Sequence, residues 1–511
     1  MIASLFQLDV YVPANQAMPG FLDPWVWLES PWLARGLLVL LVAFGVFTAV
    51  FALRWALHRR HRYRGAFDAK ILQVKVPKEL RKEDTAQEKS QQQLQELIGK
   101  METVFATIGS MKPQSGFMAW WRGRDDHLSL EIVIDQEKIN FFIVTPSKWQ
   151  AFVEEQVHAQ YPFASIDEAP DYNIFTPTGV ALASYVVLRR PSAFALKTYR
   201  KLEADPMNAL TNALAKVESG DGAAIQILTR PIENGWRKYG VKIASQMQQG
   251  KKLSDIEKKG IWGEVWKFVK ALSKGPKDPS KQEKTYSLSP LEQEMVKGME
   301  EKASKAGLEI CFRVVVASKS PDKAQRYMND VLGAFGQFNI YEYGNSFKKE
   351  FPRFQSRILH GFIHRQFDED HRYVLNTEEL ASIFHFPLPQ TETPKIAWLM
   401  SRKAIPPSNL PTEGILLGVS KYRNHAYEVR MKQPDRSRHS YIIGKSGSGK
   451  TELMKSLIKQ DIEAGRGIGL IDPHGDFAVE CLDLVPKSRA NDVIFFDLVF
   501  DGLRARFDRG F

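Results

Sequence analysis

The 511-residue chain is poor in cysteine, with only Cys311 and Cys481. Each lies in an apolar stretch, which predicts two buried thiols in a reducing compartment rather than a disulfide framework or a zinc cluster. The eleven histidines, among them His360, His364 and His385, show no metal-ligand spacing. These absences exclude the small disulfide-rich secreted proteins and the cysteine–histidine metal proteins.

The chain also lacks an excess of acidic residues. Seventy lysines and arginines outnumber 59 acidic residues, and the formal net charge is +11. This balance favours nucleic acid or anionic lipid as a neighbour, without choosing between them. Residues 66–400 contain no recognisable catalytic constellation, so the middle of the chain predicts no active site of its own.

Long apolar runs are absent with one exception, Gly36–Leu53, which holds eighteen residues without a charge between Arg35 and Arg54. As a helix it is about 27 Å long, close to the roughly 30 Å of a bilayer's hydrocarbon core. No basic start precedes it, which argues against a cleaved signal peptide. A buried helix of a soluble protein rarely stays apolar for so long. The sequence therefore predicts a transmembrane helix over residues 36–56.

Charge on either side of this helix predicts its orientation. The flank that follows it is rich in arginine: Arg54, Arg59, Arg60, Arg62 and Arg64. Such a cluster is retained in the cytoplasm. Trp25, Trp27 and Trp32 lie where an outer aromatic belt would form. We expect a single-pass protein of the inner or cytoplasmic membrane, with the segment 1–35 outside and the bulk of the chain inside.

Between this helix and residue 400, alternating helix and strand patterns predict two α+β modules, over residues 57–250 and 286–400. Their similar order of elements leaves a degenerate duplication open. The elements expected are helices over 94–108, 148–159, 206–216, 289–305 and 321–338, strands over 164–168, 180–189, 223–229, 308–318 and 357–367, and a hairpin of 128–134 and 139–144 that turns at Gln136-Glu137.

The segment 251–285 between the modules is basic, with ten lysines against five acids over residues 251–284. Its composition predicts a linker. Trp262 and Trp266 would lie on the apolar side of a helix whose other side is basic. Such a helix lies on an anionic membrane surface or docks on its own protein, and the sequence leaves both interpretations open.

Residues 444–451 read GKSGSGKT, a complete GxxxxGK[ST] phosphate-binding loop. The apolar segment Tyr441–Ile443 predicts a strand before the loop, and Thr451–Gly465 predicts a helix after it. Backbone N–H groups of such a loop converge on phosphate oxygens. The loop predicts ATP and Mg²⁺ as ligands, with Lys450 at the β/γ-phosphates and the Thr451 hydroxyl on the metal. The predicted nucleotide contacts within the loop are Gly444, Lys445, Ser446, Gly447, Ser448, Gly449, Lys450 and Thr451.

The stretch 436–451, followed by Gly469–Asp476, resembles the HerA–FtsK branch of P-loop pump ATPases. More narrowly, it is similar to the membrane-anchored coupling proteins and conjugative ATPases of type IV secretion systems (the TraG/TraD-like helicase group). The strands expected at 414–420 and 426–431 and the segment 376–387 are also similar to that family. The resemblance implies an α/β P-loop domain of the RecA/HerA type over residues 401–511.

The same resemblance implies roles for three further residues. Asp472 would orient water or a Mg²⁺ ligand near the phosphates. Asp476 would do the same or cap the helix that follows it, and His439 would contact nucleotide. Implied partners are DNA, secretion-system components and further copies of the chain, in a ring that is a hexamer in the full-length family.

The family carries a second acidic strand (Walker B) and a water-positioning carboxylate beyond the part that residues 401–511 match. The sequence therefore predicts an incomplete, truncated nucleotide domain, and leaves ATP hydrolysis uncertain. Two functions stay open on the sequence alone. One is a membrane-anchored DNA-translocation or coupling ATPase, present in truncated form. The other is a non-enzymatic membrane assembly or docking protein with a vestigial loop.

Overall fold

The computed structural model describes residues 31–78, 91–250, 253, 287–399, 406–422, 425–445, 447–497 and 506–509. The chain divides into two compact units, Met1–Met400 and Ser401–Phe511. Residues 1–30, nearly all of the predicted linker and its helix, and Ser446 lie outside the described residues, as do the side chains of residues 58–67.

The first unit contains both helices and strands. In chain order they are α1 (Pro31–Phe67), β1 (Ala69–Lys75), α2 (Gln91–Gly109), α3 (Phe117–Arg122), β2 (Leu128–Asp135), β3 (Lys138–Pro146), α4 (Gln150–Gln160), β4 (Ser165–Glu168), β5 (Val180–Leu188), α5 (Pro206–Ala215), β6 (Gly222–Pro231), α6 (Gly235–Gln248), α7 (Pro290–Ser304), β7 (Gly307–Ser318), α8 (Pro321–Ala334), β8 (Phe347–Glu350), α9 (Gln355–Ile363), β9 (Tyr373–Asn376) and α10 (Thr377–Ile383).

One antiparallel sheet, nine-stranded over the described residues, organises this unit. Its strands lie in the order β4-β1-β3-β2-β6-β7-β5-β8, and β9 pairs with β7. β5 and β9 share one edge of β7, because residues 313–318 of β7 pair with β5 and residues 307–310 pair with β9. The apolar run of β7 is therefore flanked by strands along both edges.

Both faces of the sheet are covered, so β6 and β7 are buried at every residue. On one face, Phe105 of α2, Leu210 of α5 and Met328 of α8 pack in the main core. On the other, Ile358 and Phe362 of α9 pack in a smaller core. A fully buried apolar side chain of this kind contributes about 1.5–3 kcal/mol to stability, so helices on both faces stabilise the strands that lie between them.

The structure confirms the predicted hairpin. β2 and β3 pair outward from Asp135 and Lys138, and the two residues between them, Gln136 and Glu137, have φ values of 48° and 64°. Two left-handed central residues are the mark of the type I′ turn, whose twist suits a hairpin. A side chain there costs about 1–2 kcal/mol per residue. Pairing and burial of the strands, rather than the turn itself, therefore stabilise the hairpin.

The sheet differs from the predicted division into modules over 57–250 and 286–400. β6 of the first segment pairs along its whole length with β7 of the second. β5 of the first segment lies between β7 and β8 of the second. Each segment alone would leave long apolar strand edges open to other chains. The two segments therefore form one sheet with a shared core.

The strand predicted near residues 357–367 is wrong. Helix α9 occupies Gln355–Ile363, and Ile358 and Phe362, four residues apart, share its buried face. A short apolar stretch fits a buried strand as well as a helix, and here the buried residues follow helical spacing. The helix predicted over 321–338 ends at Ala334 and continues as a 3₁₀ turn, Phe335–Phe338.

Helix α1 contains the predicted apolar segment. Its stretch Leu38–Leu57 is long and apolar enough to cross a bilayer, and none of that stretch is buried within the structure. Leu40 and Phe44 are 69% and 66% exposed. A core helix of a soluble protein would bury such side chains.

In the part of the second unit that the structure describes there are two short strand pairs and two α-helices. β10 and β11 lie where strands were expected, at 414–420 and 426–431; they pair antiparallel with each other, and β12 pairs antiparallel with β13. In chain order the elements are β10 (Ile415–Tyr422), β11 (His425–Met431), α11 (Lys450–Glu463), α12 (Asp476–Leu482), β12 (Ile494–Asp497) and β13 (Arg506–Arg509).

Candidate functional site

The loop before α11 depends on glycine. Gly447 and Gly449 have φ values of 75° and 84°, a left-handed conformation that other residues adopt only with strain. At Gly444 an added Cβ would lie 2.3 Å from the Ser448 Oγ and 3.3 Å from the Lys450 Cγ. Gly447 and Gly449 therefore permit the path of the backbone, and Gly444 leaves room for the side chains of Ser448 and Lys450.

Lys450 is the first residue of α11 and folds back over the loop. Its Nζ donates hydrogen bonds to the carbonyl oxygens of Gly444, at 2.7 Å, and Lys445, at 3.0 Å. The Ser448 N–H donates to the Lys445 carbonyl oxygen at 3.2 Å. These bonds hold the ammonium group beside the glycine-rich backbone, at the positive end of the helix dipole.

An ion pair ties α11 to the segment before the loop. The Arg436 guanidinium donates through both terminal nitrogens to the two carboxylate oxygens of Asp461, which lies on α11 and is 8% exposed. Arg466 donates to the same carboxylate at 2.9 Å. The hydrogen bond from Arg436, followed by that from Arg466, outweighs desolvation and lowers the pKa of Asp461. A bidentate pair of this kind fixes orientation as well as adding energy.

A second contact attaches α11 to the β10–β11 pair. The Gln460 side-chain amide donates to the carbonyl oxygen of Leu416 at 2.9 Å and accepts from its N–H at 2.8 Å. The helix that carries Lys450 is thus held from two sides, by Arg436 and by β10.

Asp472 caps a helix. Its carboxylate accepts hydrogen bonds from the backbone N–H groups of Phe477 at 2.9 Å, Ala478 at 3.2 Å and His474 at 3.1 Å. Desolvation acts to raise the pKa of this carboxyl, but the backbone bonds outweigh it and lower the pKa. The sequence left a capping role open for Asp476. The structure gives the capping bonds to Asp472 and places Asp476 in the first turn of α12.

A cavity of about 800 Å³ lies beside Asp472. Apolar residues of α11, α12 and β12 line it, including Ile458, Leu482 and Phe495. Among the described residues, none of 444–451 lines it. The cavity therefore does not bring Asp472 together with the phosphate-binding loop, and the role of Asp472 near phosphates stays a prediction.

The strand predicted at Tyr441–Ile443 is absent from the described structure. A β-strand needs a neighbouring strand as a hydrogen-bonding partner. Among the described residues, no strand pairs with Tyr441–Ile443. Tyr441 and Ile443 are 89% and 79% exposed. His439, also exposed, lies in the same irregular segment, and its contact with nucleotide stays a prediction.

The loop fits a nucleoside triphosphate with Mg²⁺ on the geometry of its backbone. Two left-handed glycines, a helix N-terminus and a lysine held over the turn match what phosphate oxygens require. Thr451, the second residue of α11, is exposed and has a hydroxyl suited to Mg²⁺. Among the described residues no cluster of three or more His, Cys, Asp or Glu side chains offers an alternative metal site.

Sequence reasoning missed the positioning residues Arg436, Gln460 and Asp461. Arg436 and Asp461 are far apart along the chain, and no short-range spacing predicts that they pair. Their one sequence signal was that Arg436 opens the stretch that resembles known P-loop ATPases.

Two family models match the chain. A model described as "Domain of unknown function (DUF8128)" matches residues 78–399, more than half of the 511 residues. Within the first unit, called the sheet unit below, the match leaves out α1 and β1. A model described as "Helicase HerA, central domain" matches residues 427–491, which include the loop, α11 and α12. No curated protein matches the chain. The second match confirms the resemblance to HerA–FtsK P-loop ATPases at the level of the superfamily.

Proposed function

Because the chain belongs to the family described as a domain of unknown function (DUF8128) and also carries a HerA-like segment, we propose that it is a membrane-anchored, ATP-binding protein of the DNA-translocating type. Its place would be a secretion or conjugation system of type IV. The observation that carries the proposal is the loop 444–451, with Lys450 held over it at the start of α11.

Different groups of the chain bind different parts of ATP. Backbone N–H groups of the loop and the first turn of α11 bind phosphate oxygens. Lys450 exchanges its bonds with the carbonyls of Gly444 and Lys445 for the β/γ-phosphates, and Thr451 holds the metal. Mg²⁺ bound there would neutralise negative charge on the terminal phosphates.

Anchoring in the membrane is supported by α1. Its stretch Leu38–Leu57 is apolar and exposed, and an arginine-rich segment follows it. The positive-inside rule supports a cytoplasmic location for the sheet unit and the HerA-like unit.

Charge and exposed apolar surface support translocation of DNA by a ring of several copies of the chain, six in the simplest case. The net charge of +11 suits a polyanion. In the second unit Tyr441, Ile443 and Ile471 are 89%, 79% and 94% exposed. Large apolar side chains exposed this far mark surfaces that contact other protein.

Binding of a fluorescent ATP analogue, with Mg²⁺, to the full chain reconstituted in vesicles tests the proposal. Replacing Lys450→Ala removes the ammonium group and should weaken binding by about tenfold or more, since a hydrogen bond to a charged group is worth about 1.5–3 kcal/mol. Lys459→Ala is the matched control, because Lys459 is an exposed lysine of the same helix.

Equal affinity of the Lys450→Ala chain and the unchanged chain would refute the nucleotide site. It would favour the alternative of an assembly or docking protein with a vestigial loop. DNA binding by the same vesicles, weakening steeply with added salt, tests the DNA part separately.

A further inference from the structure

Helix α3 presents an apolar surface to solvent. Its sequence is Phe-Met-Ala-Trp-Trp-Arg, and Phe117, Met118 and Trp120 are 70%, 61% and 46% exposed. None of its six residues is buried. Single exposed apolar side chains are ordinary, but three large neighbours on one turn mark a contact surface.

The aromatic rings of α3 are ordered against one another. Phe117 stacks on Trp121 with ring centroids 5.8 Å apart, and Trp120 lies 6.0 Å from Phe117 and 5.7 Å from Trp121. The cluster is therefore preformed and loses little freedom when it binds.

The cluster lies against α1, near the end of the apolar stretch. The Arg54 Nε donates a hydrogen bond to the Trp120 carbonyl oxygen at 3.0 Å. The Arg54 guanidinium carbon also lies 4.5 Å from the centroid of the Trp120 ring. Arg54 is three residues before the end of Leu38–Leu57. If α1 spans a bilayer, α3 is therefore level with the lipid headgroups on the arginine-rich side.

The residues after α3 fix it to the sheet. Gly123 turns the chain with a φ of 90°, and the Arg124 guanidinium then donates to the carboxylate of Asp126 at 2.8 Å, to that of Glu309 at 3.1 Å and to the Pro231 carbonyl oxygen at 2.6 Å. Asp126 is 1% exposed. The segment that follows α3 is thus bound to the ends of β6 and β7.

We propose that α3 is a second membrane contact, in which Phe117, Met118 and Trp120 enter the boundary between headgroups and acyl chains. Tryptophan prefers this depth because its ring is apolar while its N–H is polar. Arg54 and the exposed Arg122 add attraction to anionic phospholipid. The inference rests on the proposed anchoring by α1. Its consequence is that the sheet unit is held at a fixed height and tilt on the membrane.

Quenching of a fluorescent label by nitroxide-bearing lipid tests the inference. The full chain is reconstituted in vesicles of phosphatidylcholine and phosphatidylglycerol, which also contain lipid with a nitroxide near the headgroup. An environment-sensitive label is attached at Met118→Cys, since Cys311 and Cys481 are both buried. The matched control is Lys138→Cys, at the exposed start of β3 beside the β2–β3 turn, about 23 Å along β2 from the end nearest α3. A label at Phe47→Cys, in vesicles whose lipid carries the nitroxide deeper in the acyl chain, reports on α1.

The Met118 label should lose most of its fluorescence to the headgroup quencher, and the Lys138 label little. Adding Phe117→Ser and Trp120→Ser should abolish the loss at Met118, whereas Tyr341→Ser, at an exposed residue away from α3, should not. Quenching at Phe47 without quenching at Met118 would overturn the inference and leave the anchor standing. Absence of quenching at both sites would refute the anchor as well. A blue-shifted but unquenched Met118 label would overturn it in favour of a second copy covering α3.

Discussion

His127 lies immediately before β2, with its Nε2 2.9 Å from the Arg365 carbonyl oxygen. Burial lowers its pKa to about 4, and the positive charge of Arg230 acts in the same direction. The bond to Arg365 and the carboxylates of Asp126 and Asp125 oppose the shift without cancelling it. The imidazole is therefore neutral near pH 7, and its Nε2 donates to the carbonyl.

This shift predicts loss of stability in acid. In the unfolded chain the imidazole takes up its proton near pH 6.5, whereas in the folded chain it does so near pH 4. As the pH falls through this window the unfolded state binds the extra proton, so stability falls by up to about 1.4 kcal/mol per pH unit. Thermal unfolding of the full chain in detergent, followed across the window, measures the effect. His127→Gln should flatten the dependence, and an unchanged slope in that variant would contradict the assignment.

The carboxylate of Asp461 should control both the stability of the second unit and its nucleotide affinity. Asp461→Asn weakens the hydrogen bonds from Arg436 and Arg466, and we expect the free energy of unfolding of the second unit to fall by about 1–3 kcal/mol. Because Arg436 orients the helix that carries Lys450, affinity for an ATP analogue should fall as well. Glu463→Gln, at the exposed end of α11, is the control and should change neither quantity. Normal affinity in a chain with Asp461→Asn would show that the pair plays no part in positioning the loop.

Among the elements, the β2–β3 hairpin shows how tertiary structure overrides a local preference. Gln136 and Glu137 are poor residues for two left-handed positions, and yet the turn forms there because both strands are buried. A type I′ turn favours Asn followed by Gly.

Replacing Gln136→Asn together with Glu137→Gly should therefore stabilise the sheet unit by about 1 kcal/mol or more, since left-handed strain is relieved. The midpoint of thermal unfolding measures the gain. Glu137→Ala, which removes the same carboxylate but keeps a side chain, should give none. A gain of equal size in the alanine variant would show that charge, rather than backbone strain, limits the turn.

For the whole molecule, the proposed topology can be read from the reactivity of single cysteines. Ser4→Cys should react with a membrane-impermeant maleimide added to intact cells, because residues 1–35 are expected outside. Lys138→Cys should react only after the cells are opened, since the positive-inside rule holds the arginine-rich flank of α1 in the cytoplasm. The unchanged chain is the control, and its two cysteines are buried. The reverse pattern would refute the orientation.

The sequence by itself determined the features that depend on a short stretch of adjacent residues. The loop 444–451 follows from a short motif, and the helix α1 from an uninterrupted apolar run. The β2–β3 hairpin follows from an alternating strand, a short turn and an apolar strand. Each depends on contacts within about one or two elements, so local periodicity and residue type suffice.

Only the tertiary structure decided how distant segments meet. β6 pairs with β7 across the basic segment 251–285, and this pairing merged two predicted modules into one sheet. Arg436 pairs with Asp461, and the Asp472 carboxylate accepts hydrogen bonds from backbone N–H groups of α12. The pairing of distant strands depends on burial and hydrogen bonding over the whole sheet. The partner of a side chain depends in turn on which elements this pairing brings close together. The spacing of neighbouring residues contains neither the strand pairing nor the side-chain partner.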